Sequence, residues 1–110
     1  MSGTDASMQL QLDITWDPSK AQSNIAKHDG VSFAQASSVL LDPLALTVFD
    51  AAHSQAEERW FTLGFSGDGK LLAVSHTYQP IAPTKARVRI ISAREATKRE
   101  RHQYENEMRE

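Results

Sequence analysis

The chain has 110 residues, of which 40% are hydrophobic and 24% charged, with a formal net charge of −2. These values are typical of one globular domain with a single core, and they leave little room for an elaborate active-site cavity. The absence of cysteine excludes disulfides and thiolate metal sites. No apolar run or charged leader indicates a transmembrane helix or a signal peptide, so a cytoplasmic location is predicted.

Charge is distributed unevenly along the chain. Residues 1–84 contain four Lys/Arg and nine Asp/Glu, whereas residues 85–110 contain eight and five. Seven of those basic residues fall between Lys85 and His102, together with only two glutamates. Such a basic segment favours a phosphate-binding surface. The alternative is a solvated, charged helix beside an edge strand.

The chain begins with a small, polar segment at residues 1–8, predicted to be disordered or a leader added by cloning ahead of Met8. Residues 9–110 are predicted to form one domain. A half-buried strand comes first, because apolar residues alternate with polar ones at Leu10, Leu12, Ile14 and Trp16.

Two helices are predicted next. Asp17 followed by Pro18 indicates the start of the first, which extends to about His28 and can end at Gly30. Its buried side is predicted to carry Ala21, Ile25 and His28.

The second helix begins with a capping box of Ser32 and Gln35 and stops before Pro43. Its buried side is predicted to carry Phe33, Ala36, Val39 and Leu40.

After the second helix the apolar period changes to two, which predicts strands at residues 44–49, 59–65, 71–78 and 86–91. A tight hairpin at residues 66–69 joins the second and third of these, and a loop at residues 80–83 joins the third and fourth. Short connections favour antiparallel pairing. The predicted order is β-α-α-β-β-β-β-α, an α+β fold with a twisted antiparallel sheet.

The last predicted strand leads into a basic helix. Val88 and Ile90 alternate with Arg87 and Arg89, so the arginines are predicted to project from the sheet face that the two early helices leave open. Ser92 and Glu95 have the spacing of a capping box and predict that the helix starts there. The helix carries four basic residues, Arg94, Lys98, Arg99 and Arg101, and a thin apolar stripe, Ala93, Ala96, Tyr104 and Met108.

No metal or nucleophile motif is present in the sequence. The four histidines, His28, His53, His76 and His102, are dispersed, and a structural or solvent role is favoured for each. Glu57, Glu58 and Arg59 enter a strand from an acidic loop. They predict either a local ion pair or a carboxylate and a guanidinium at the rim of the sheet that presents Arg89.

Taken together, these residues resemble the BrnT-type toxin family. The first half of the resemblance lies in Trp16-Asp17-Pro18, Lys20-Ala21, Asn24, Lys27-His28, Gly30-Val31-Ser32-Phe33 and Asp42-Pro43. The second half lies in Glu58-Arg59, Gly64, Arg89-Ile90-Ile91-Ser92-Ala93-Arg94, Glu100-Arg101 and Tyr104. The sequence departs from the family pattern at Asp29, which separates His28 from Gly30, and in the long connection at residues 79–85.

The resemblance implies a ribonuclease toxin with a RelE-like fold, held inactive by a cognate DNA-binding antitoxin. RNA carries its own nucleophile, the 2′-OH, so such an enzyme needs phosphate binding and proton transfer and no cofactor or metal. Phosphate binding is predicted for Arg59, Arg89 and Arg94, which stay ionised and bind phosphate bidentately. Proton transfer or positioning is predicted for Glu58, Lys27 and His28, and further RNA contacts for Arg87, Lys98, Arg101 and Tyr104.

The partners predicted for this reading are RNA and the antitoxin, both on the basic surface around Arg89, Arg94, Lys98 and Arg101, with Tyr104 and Met108 as exposed anchors. A homodimer or a larger toxin–antitoxin assembly is left open. The alternative function is a non-catalytic RNA- or protein-binding domain on the same scaffold.

Overall fold

The computed structural model describes the backbone of residues 10–109 and the side chains of residues 10–106. Within this range the chain forms a mixed α+β fold with six strands and three helices. They are β1 (Gln11–Trp16), α1 (Pro18–Lys27), α2 (Phe33–Val39), β2 (Leu46–Phe49), a 3-10 turn (Ala51–His53), β3 (Trp60–Phe65), β4 (Leu71–His76), β5 (Gln79–Ala82), β6 (Lys85–Glu95) and α3 (Lys98–Arg109). The segment at residues 1–8 lies outside the described residues.

The six strands form one sheet in the order β1-β6-β4-β3-β2, and the short β5 also pairs with β6. Every pair is antiparallel except β1 with β6, which is parallel, with Ile14 opposite Val88. The prediction of a wholly antiparallel sheet is therefore wrong for this pair. Short connections favour antiparallel pairing only between strands that follow one another along the chain, whereas β1 and β6 are separated by most of the sequence.

The starts of the two early helices are confirmed. Asp17 accepts a hydrogen bond from the Ser19 N–H at 2.9 Å, with Pro18 as the first helical residue. Ser32 and Gln35 form the predicted capping box, with the Gln35 N–H donating to the Ser32 hydroxyl at 3.0 Å.

The predicted buried side of α1 needs a correction. Ile25 is 45% exposed, and the buried residue of this helix is Asn24. Helical spacing was right for Ala21, which packs against the core cluster. It was wrong for Ile25, because the polar side chain of Asn24, bonded to the sheet, occupies the position against β6. The helix ends as expected: Asp29 and Gly30 both have positive φ, at 52° and 82°, so the left-handed turn takes two residues.

Apolar side chains fill both faces of the sheet. Between the sheet and the early helices lies one cluster, consisting of Val31, Phe33, Ala36, Val39, Leu72, Val74, Ile90 and Ala93. A second cluster on the opposite face consists of Leu63, Leu71, Ala73 and Tyr104. The helix α3 therefore covers one end of the face that α1 and α2 leave open.

The start of α3 differs from the prediction. The strand β6 continues through Ser92 to Glu95, and the helix begins only at Lys98. Two residue pairs, Ser92 with Glu95 and Thr97 with Glu100, have the spacing of a capping box, and only the second pair caps the helix. The Thr97 N–H donates to Glu100 at 2.9 Å, and the Glu100 N–H donates to the Thr97 hydroxyl at 3.1 Å. Pairing with β4 keeps the first pair extended, with Ser92 opposite Ser75.

The two predicted connections have different outcomes. The hairpin at residues 66–69 is confirmed, because the Ser66 N–H bonds the Lys70 carbonyl at 2.8 Å and Gly69 adopts a positive φ of 86°. The segment at residues 80–83 is not a plain loop. Most of it belongs to β5, in which Gln79 lies opposite Arg87 of β6.

Candidate functional site

The arginines of β6 lie on the open face of the sheet, as predicted. Arg87 and Arg89 have side chains that are 54% and 45% exposed, whereas Val88 and Ile90 are buried. Ile90 belongs to the cluster beneath α2, so the arginines between these residues project from the opposite face.

A β-bulge in β6 carries this basic face further along the strand. Residue 76 of β4 pairs with Ile90, but residue 75 pairs with Ser92, so Ile91 has no partner of its own on β4. Simple alternation would place Arg94 on the face opposite Arg89. Because the bulge adds one residue, Ser92 and Arg94 follow Arg89 onto the open face.

The long connection between β2 and β3, residues 50–59, lies against this face and is closed at its base. The Asp50 N–H donates to the Arg59 carbonyl at 2.9 Å. The Ser54 hydroxyl donates to the Asp50 carbonyl at 2.6 Å and accepts from the Arg59 N–H at 3.0 Å. These bonds fix the ends of the loop, so its polar side chains are held beside the sheet.

Loop and sheet together border an open cavity of about 420 Å³, here named the arginine cavity. Its lining consists of Asp50, His53, Arg59, Phe61, Ser75, Ile91, Ser92 and Arg94. Two of the predicted phosphate-binding residues, Arg59 and Arg94, therefore meet in one cavity. The Arg94 guanidinium lies 5.9 Å from the centre of the Phe61 ring, a cation–π arrangement.

The two guanidinium groups of the arginine cavity have different partners. Arg94 donates to both oxygens of Glu100, at 2.8 and 2.9 Å. The hydrogen bonds that Arg94 donates to Glu100 raise the pKa of Arg94, and the same contact lowers the pKa of Glu100. Arg59 has no carboxylate within 4.0 Å among the described residues, and its Nε is buried without a hydrogen-bond acceptor there. A guanidinium without a carboxylate partner is a favourable contact for an anionic ligand.

A second cavity of about 330 Å³, the rim cavity, lies around the other two arginines of β6. It is lined by Thr15, Glu57, Glu58, Thr77, Tyr78, Gln79, Arg87 and Arg89. Arg89 pairs with Glu57, and Arg87 lies 3.6 Å from Asp13. Glu58 and Arg89 thus share a cavity, as the sequence suggested, although the direct ion pair of Arg89 is made by Glu57.

Lys27 and His28 line a third cavity of about 310 Å³, at the end of α1. It shares Ile91 and Ser92 with the arginine cavity, so the bulge lies between the two. The six predicted catalytic residues are therefore divided among three adjoining cavities. Lys27 and His28 do not line the cavity that contains Arg59 and Arg94.

The side chain of Asn24 holds α1 against the bulge. Its amide accepts from the Ala93 N–H at 3.0 Å, and donates to the carbonyls of Ala93 at 2.8 Å and Val31 at 3.0 Å. The strand β1 pairs with β6 only as far as Ile90, so this amide satisfies backbone groups beyond that point. The side chain substitutes for a neighbouring strand.

The predicted RNA contacts of α3 have mixed outcomes. Lys98 and Arg101 are exposed, which leaves them available as predicted. Tyr104 is only 2% exposed and packs edge-on against Phe65 at 5.3 Å, so the prediction that it stacks on RNA or anchors a partner is wrong. The side chain of Met108 lies outside the described residues.

The sequence reading missed Asp50 and His53. Nδ1 of His53 lies 2.9 Å from Oδ2 of Asp50, in the arginine cavity. The only signal in the sequence is their spacing of three, which a 3-10 turn converts into a contact. Phe61 and Ser75 were likewise missed, because nothing local distinguishes them from other strand residues.

The fold agrees with the comparisons, which place the chain among the ribonuclease toxins of type II toxin–antitoxin systems. The family model described as "Ribonuclease toxin, BrnT, of type II toxin-antitoxin system" matches residues 16–100, and the chain belongs to this BrnT family. The structure is similar to a crystal structure of the Brucella abortus ribonuclease toxin BrnT, with a TM-score of 0.55 and 27% identity. That match covers 80% of this chain and 100% of the Brucella chain. No protein with a curated description matches.

Membership of the family confirms the predicted resemblance and implies an antitoxin partner and an RNA target. Among residues 10–109, no helix is long and apolar enough to cross a membrane.

Proposed function

We propose that this chain is an endoribonuclease toxin that cleaves RNA through attack by the substrate's own 2′-OH, with the arginine cavity as the phosphate site. The observation that carries this proposal is the meeting of Arg59 and Arg94 in one cavity on the open face of the sheet. Both guanidinium groups remain charged at any physiological pH and match the geometry of a phosphodiester.

The chemistry requires little more than positioning, charge stabilisation and proton transfer. The 2′ oxygen attacks phosphorus, the bond from phosphorus to the 5′ oxygen breaks, and a 2′,3′-cyclic phosphate remains on one fragment. Negative charge grows on the phosphate oxygens during this step, where the donors of Arg59 and Arg94 would stabilise it. The Glu100 carboxylate holds Arg94 in one orientation, which reduces the cost of ordering it when substrate binds.

The surroundings of the arginine cavity suit a single-stranded RNA. Phe61 offers an aromatic surface for a nucleobase, and base–aromatic stacking contributes about 1–3 kcal/mol per base. Arg87 and Arg89 in the rim cavity, which Glu58 also lines, would contact the neighbouring phosphates. Lys98 and Arg101 on α3 would extend the phosphate track.

For Lys27 and His28 the sequence suggested proton transfer or positioning. In this proposal they keep only a positioning role. They lie across the bulge from the arginine cavity, so they would position the RNA strand beyond the scissile bond.

Membership of the family supports a proposal for the partner and the cell compartment. A cognate DNA-binding antitoxin would cover the basic open face and thereby exclude RNA, in the cytoplasm where the RNA target is found. We also propose that the fold is RelE-like, as predicted from the sequence, and that the chain forms a dimer or a larger toxin–antitoxin assembly.

Incubating the purified protein with a mixed RNA pool in EDTA tests the function. Wild type is expected to cleave and to leave 2′,3′-cyclic phosphate ends. Arg59→Ala, Arg89→Ala and Arg94→Ala should each be slower, with losses of about 100-fold or more for the two arginines in the cavity. Lys70→Ala, which removes an exposed cation from the hairpin, is the control.

Two outcomes would contradict the proposal. Cleavage abolished by EDTA and restored by Mg²⁺ would indicate a metal-dependent mechanism. RNA binding without cleavage, lost in Arg94→Ala, would support the non-catalytic binding domain instead.

A further inference from the structure

We propose that His53, oriented by Asp50, is the catalytic residue that takes the proton from the 2′-OH in the arginine cavity. This inference rests on the proposed ribonuclease function and assigns its proton acceptor. The pair lies outside the residues that the sequence indicated, and it stands on the geometry of the loop at residues 50–59.

The contact between the two side chains fixes the tautomer of the imidazole. Nδ1 of His53 lies 2.9 Å from Oδ2 of Asp50. An ionised carboxylate can only accept a hydrogen bond, so Nδ1 must carry the hydrogen and Nε2 of the neutral ring is left as a proton acceptor. The same carboxylate stabilises the imidazolium that forms when Nε2 takes up a proton.

The backbone holds this pair in place. Asp50 and His53 are the first and last residues of a turn closed by a hydrogen bond from the His53 N–H to the Asp50 carbonyl at 3.3 Å. The Ser54 hydroxyl then fastens the turn to both Asp50 and Arg59. His53 is therefore anchored to the same strand entry that positions Arg59.

Exposure and location also fit a group that must reach substrate. The His53 side chain is 67% exposed, whereas its Asp50 partner is 23% exposed, so the ring is reachable while the carboxylate lies behind it. Four titratable groups line the arginine cavity: Asp50, His53, Arg59 and Arg94. The arginines do not lose their protons in proteins, and Asp50 is occupied by His53.

Other candidates are less well placed. Glu58 lines the rim cavity, and His28 lies beyond the bulge. His76 is 2% exposed, and both of its ring nitrogens have partners, with Thr62 at 2.6 Å and the Thr77 carbonyl at 2.8 Å. Glu100 is committed to Arg94 through both oxygens. His53 is the group in the arginine cavity that can accept a proton and still face the substrate.

In the proposed step, proton transfer to His53 accompanies formation of the cyclic phosphate. Nε2 of neutral His53 takes the proton of the 2′-OH while the 2′ oxygen forms its bond to phosphorus. The bond from phosphorus to the 5′ oxygen breaks, and that oxygen takes a proton from water. The imidazolium returns its proton to the resulting hydroxide, so His53 is neutral again and the products are a 2′,3′-cyclic phosphate and a 5′-OH.

The experiment measures single-turnover cleavage of an RNA pool as a function of pH, together with RNA binding. His53→Ala should lose about 10²- to 10⁴-fold in rate, the usual contribution of a general base, while it binds RNA as wild type does. Added imidazole should restore part of the activity of His53→Ala. Exchanging the exposed His102 on α3 for Ala is the matched control and should cleave at the wild-type rate.

Asp50→Asn tests the positioning role of the carboxylate. The amide no longer stabilises the imidazolium, so the acid limb of the rate–pH profile should move to lower pH, with a smaller loss of rate than in His53→Ala. A residue that served only the fold would not move this limb.

The failures of the two proposals can be told apart. If wild type does not cleave RNA, the proposed function falls and the assignment of His53 falls with it. If wild type cleaves, Arg94→Ala does not, and His53→Ala retains full rate, only the assignment of His53 is overturned. Loss of cleavage in His53→Ala without rescue by imidazole, and with an unmoved pH limb in Asp50→Asn, would also overturn it.

Discussion

The phenol of Tyr104 donates a hydrogen bond of 2.6 Å to Oδ2 of Asp42, joining α3 to the end of α2. The same carboxylate accepts from the backbone N–H groups of Phe65 at 2.8 Å and Leu44 at 2.9 Å. A Cβ at Gly64 would lie 3.1 Å from Oδ2, so a glycine there leaves room for this carboxylate. Three elements of the fold thus converge on Asp42. This explains how so polar a helix as α3 is held to the sheet.

Replacing Tyr104 by Phe should lower the free energy of unfolding by about 1.5–3 kcal/mol, the range for a hydrogen bond to a charged group. Chemical denaturation measures this loss, and Tyr78→Phe, at a half-buried tyrosine, is the matched control. RNA binding should be unchanged in Tyr104→Phe, because the ring is buried. A large loss of RNA affinity with full stability would restore the stacking role that the sequence suggested.

The ionisation of Tyr104 offers an independent test of its burial. Burial, followed by the hydrogen bond to Asp42, raises the pKa of Tyr104 from 10.0 to about 12. Because the folded pKa lies above the unfolded one, the corresponding stability is fully present below pH 10 and is lost as the pH rises toward 12. The chain has two tyrosines, so a phenolate titration of Tyr78→Phe isolates Tyr104. A midpoint near the ordinary value would mean that the ring is open to solvent.

Asn24 should be among the least replaceable polar residues. Asn24→Ala would leave the N–H and carbonyl of Ala93 unsatisfied, and each buried unsatisfied group costs about 1–3 kcal/mol. Asn24→Asp keeps the shape of the side chain but cannot donate to the carbonyls of Ala93 and Val31, so it should destabilise as well. Thermal unfolding measures both, and Ser23→Ala at the exposed neighbouring position should change little. A tolerated Asn24→Ala would contradict the view that this amide completes the sheet.

Features that depend on neighbouring residues were predictable from the sequence. The caps at Asp17 and Ser32 and the hairpin ending at Gly69 follow from local geometry, because the interacting groups are two to four residues apart. The alternation around Arg89 placed that residue on the open face for the same reason.

Features that depend on partners distant in the sequence were not predictable from it. Two equally good capping boxes occur in succession, and only pairing with β4 decides that Ser92 is extended while Thr97 caps the helix. The bulge at Ile91, which brings Arg94 to the side of Arg89, leaves no mark in a count of alternating residues. The burial of Tyr104 depends on Asp42, a residue remote in sequence.

Glu100 should weaken the binding of phosphate by Arg94 as well as orient the guanidinium. In Glu100→Gln the guanidinium loses its charged partner, so a phosphate no longer competes with a carboxylate and RNA should bind several-fold more tightly. The loss of stability should stay within about 1 kcal/mol, because Arg94 is 40% exposed and solvent screens the pair. Cleavage at saturating RNA should be slower, because Arg94 is less well oriented.

Glu95→Gln is the control for this prediction, since it changes the net charge equally at an exposed position outside the arginine cavity. Equal gains in RNA affinity for the two variants would show that net charge, rather than the release of Arg94, is responsible.

The exposed cations of α3 should contribute to RNA binding through long-range electrostatics. Reversing Lys98 and Arg101 to Glu should leave the fold intact, because α3 is held by Tyr104 and by the pair of Arg94 with Glu100. Charges at the edge of a binding surface act mainly on association, so the variant should bind a single-stranded oligoribonucleotide more slowly at low salt, and the difference should shrink as salt is added. The slope of log affinity against log salt should fall in magnitude by about 0.7 for each phosphate contact that is lost. Lys70→Glu, a charge reversal in the hairpin rather than on α3, is the control. An unchanged slope in the folded double variant would mean that RNA does not reach α3.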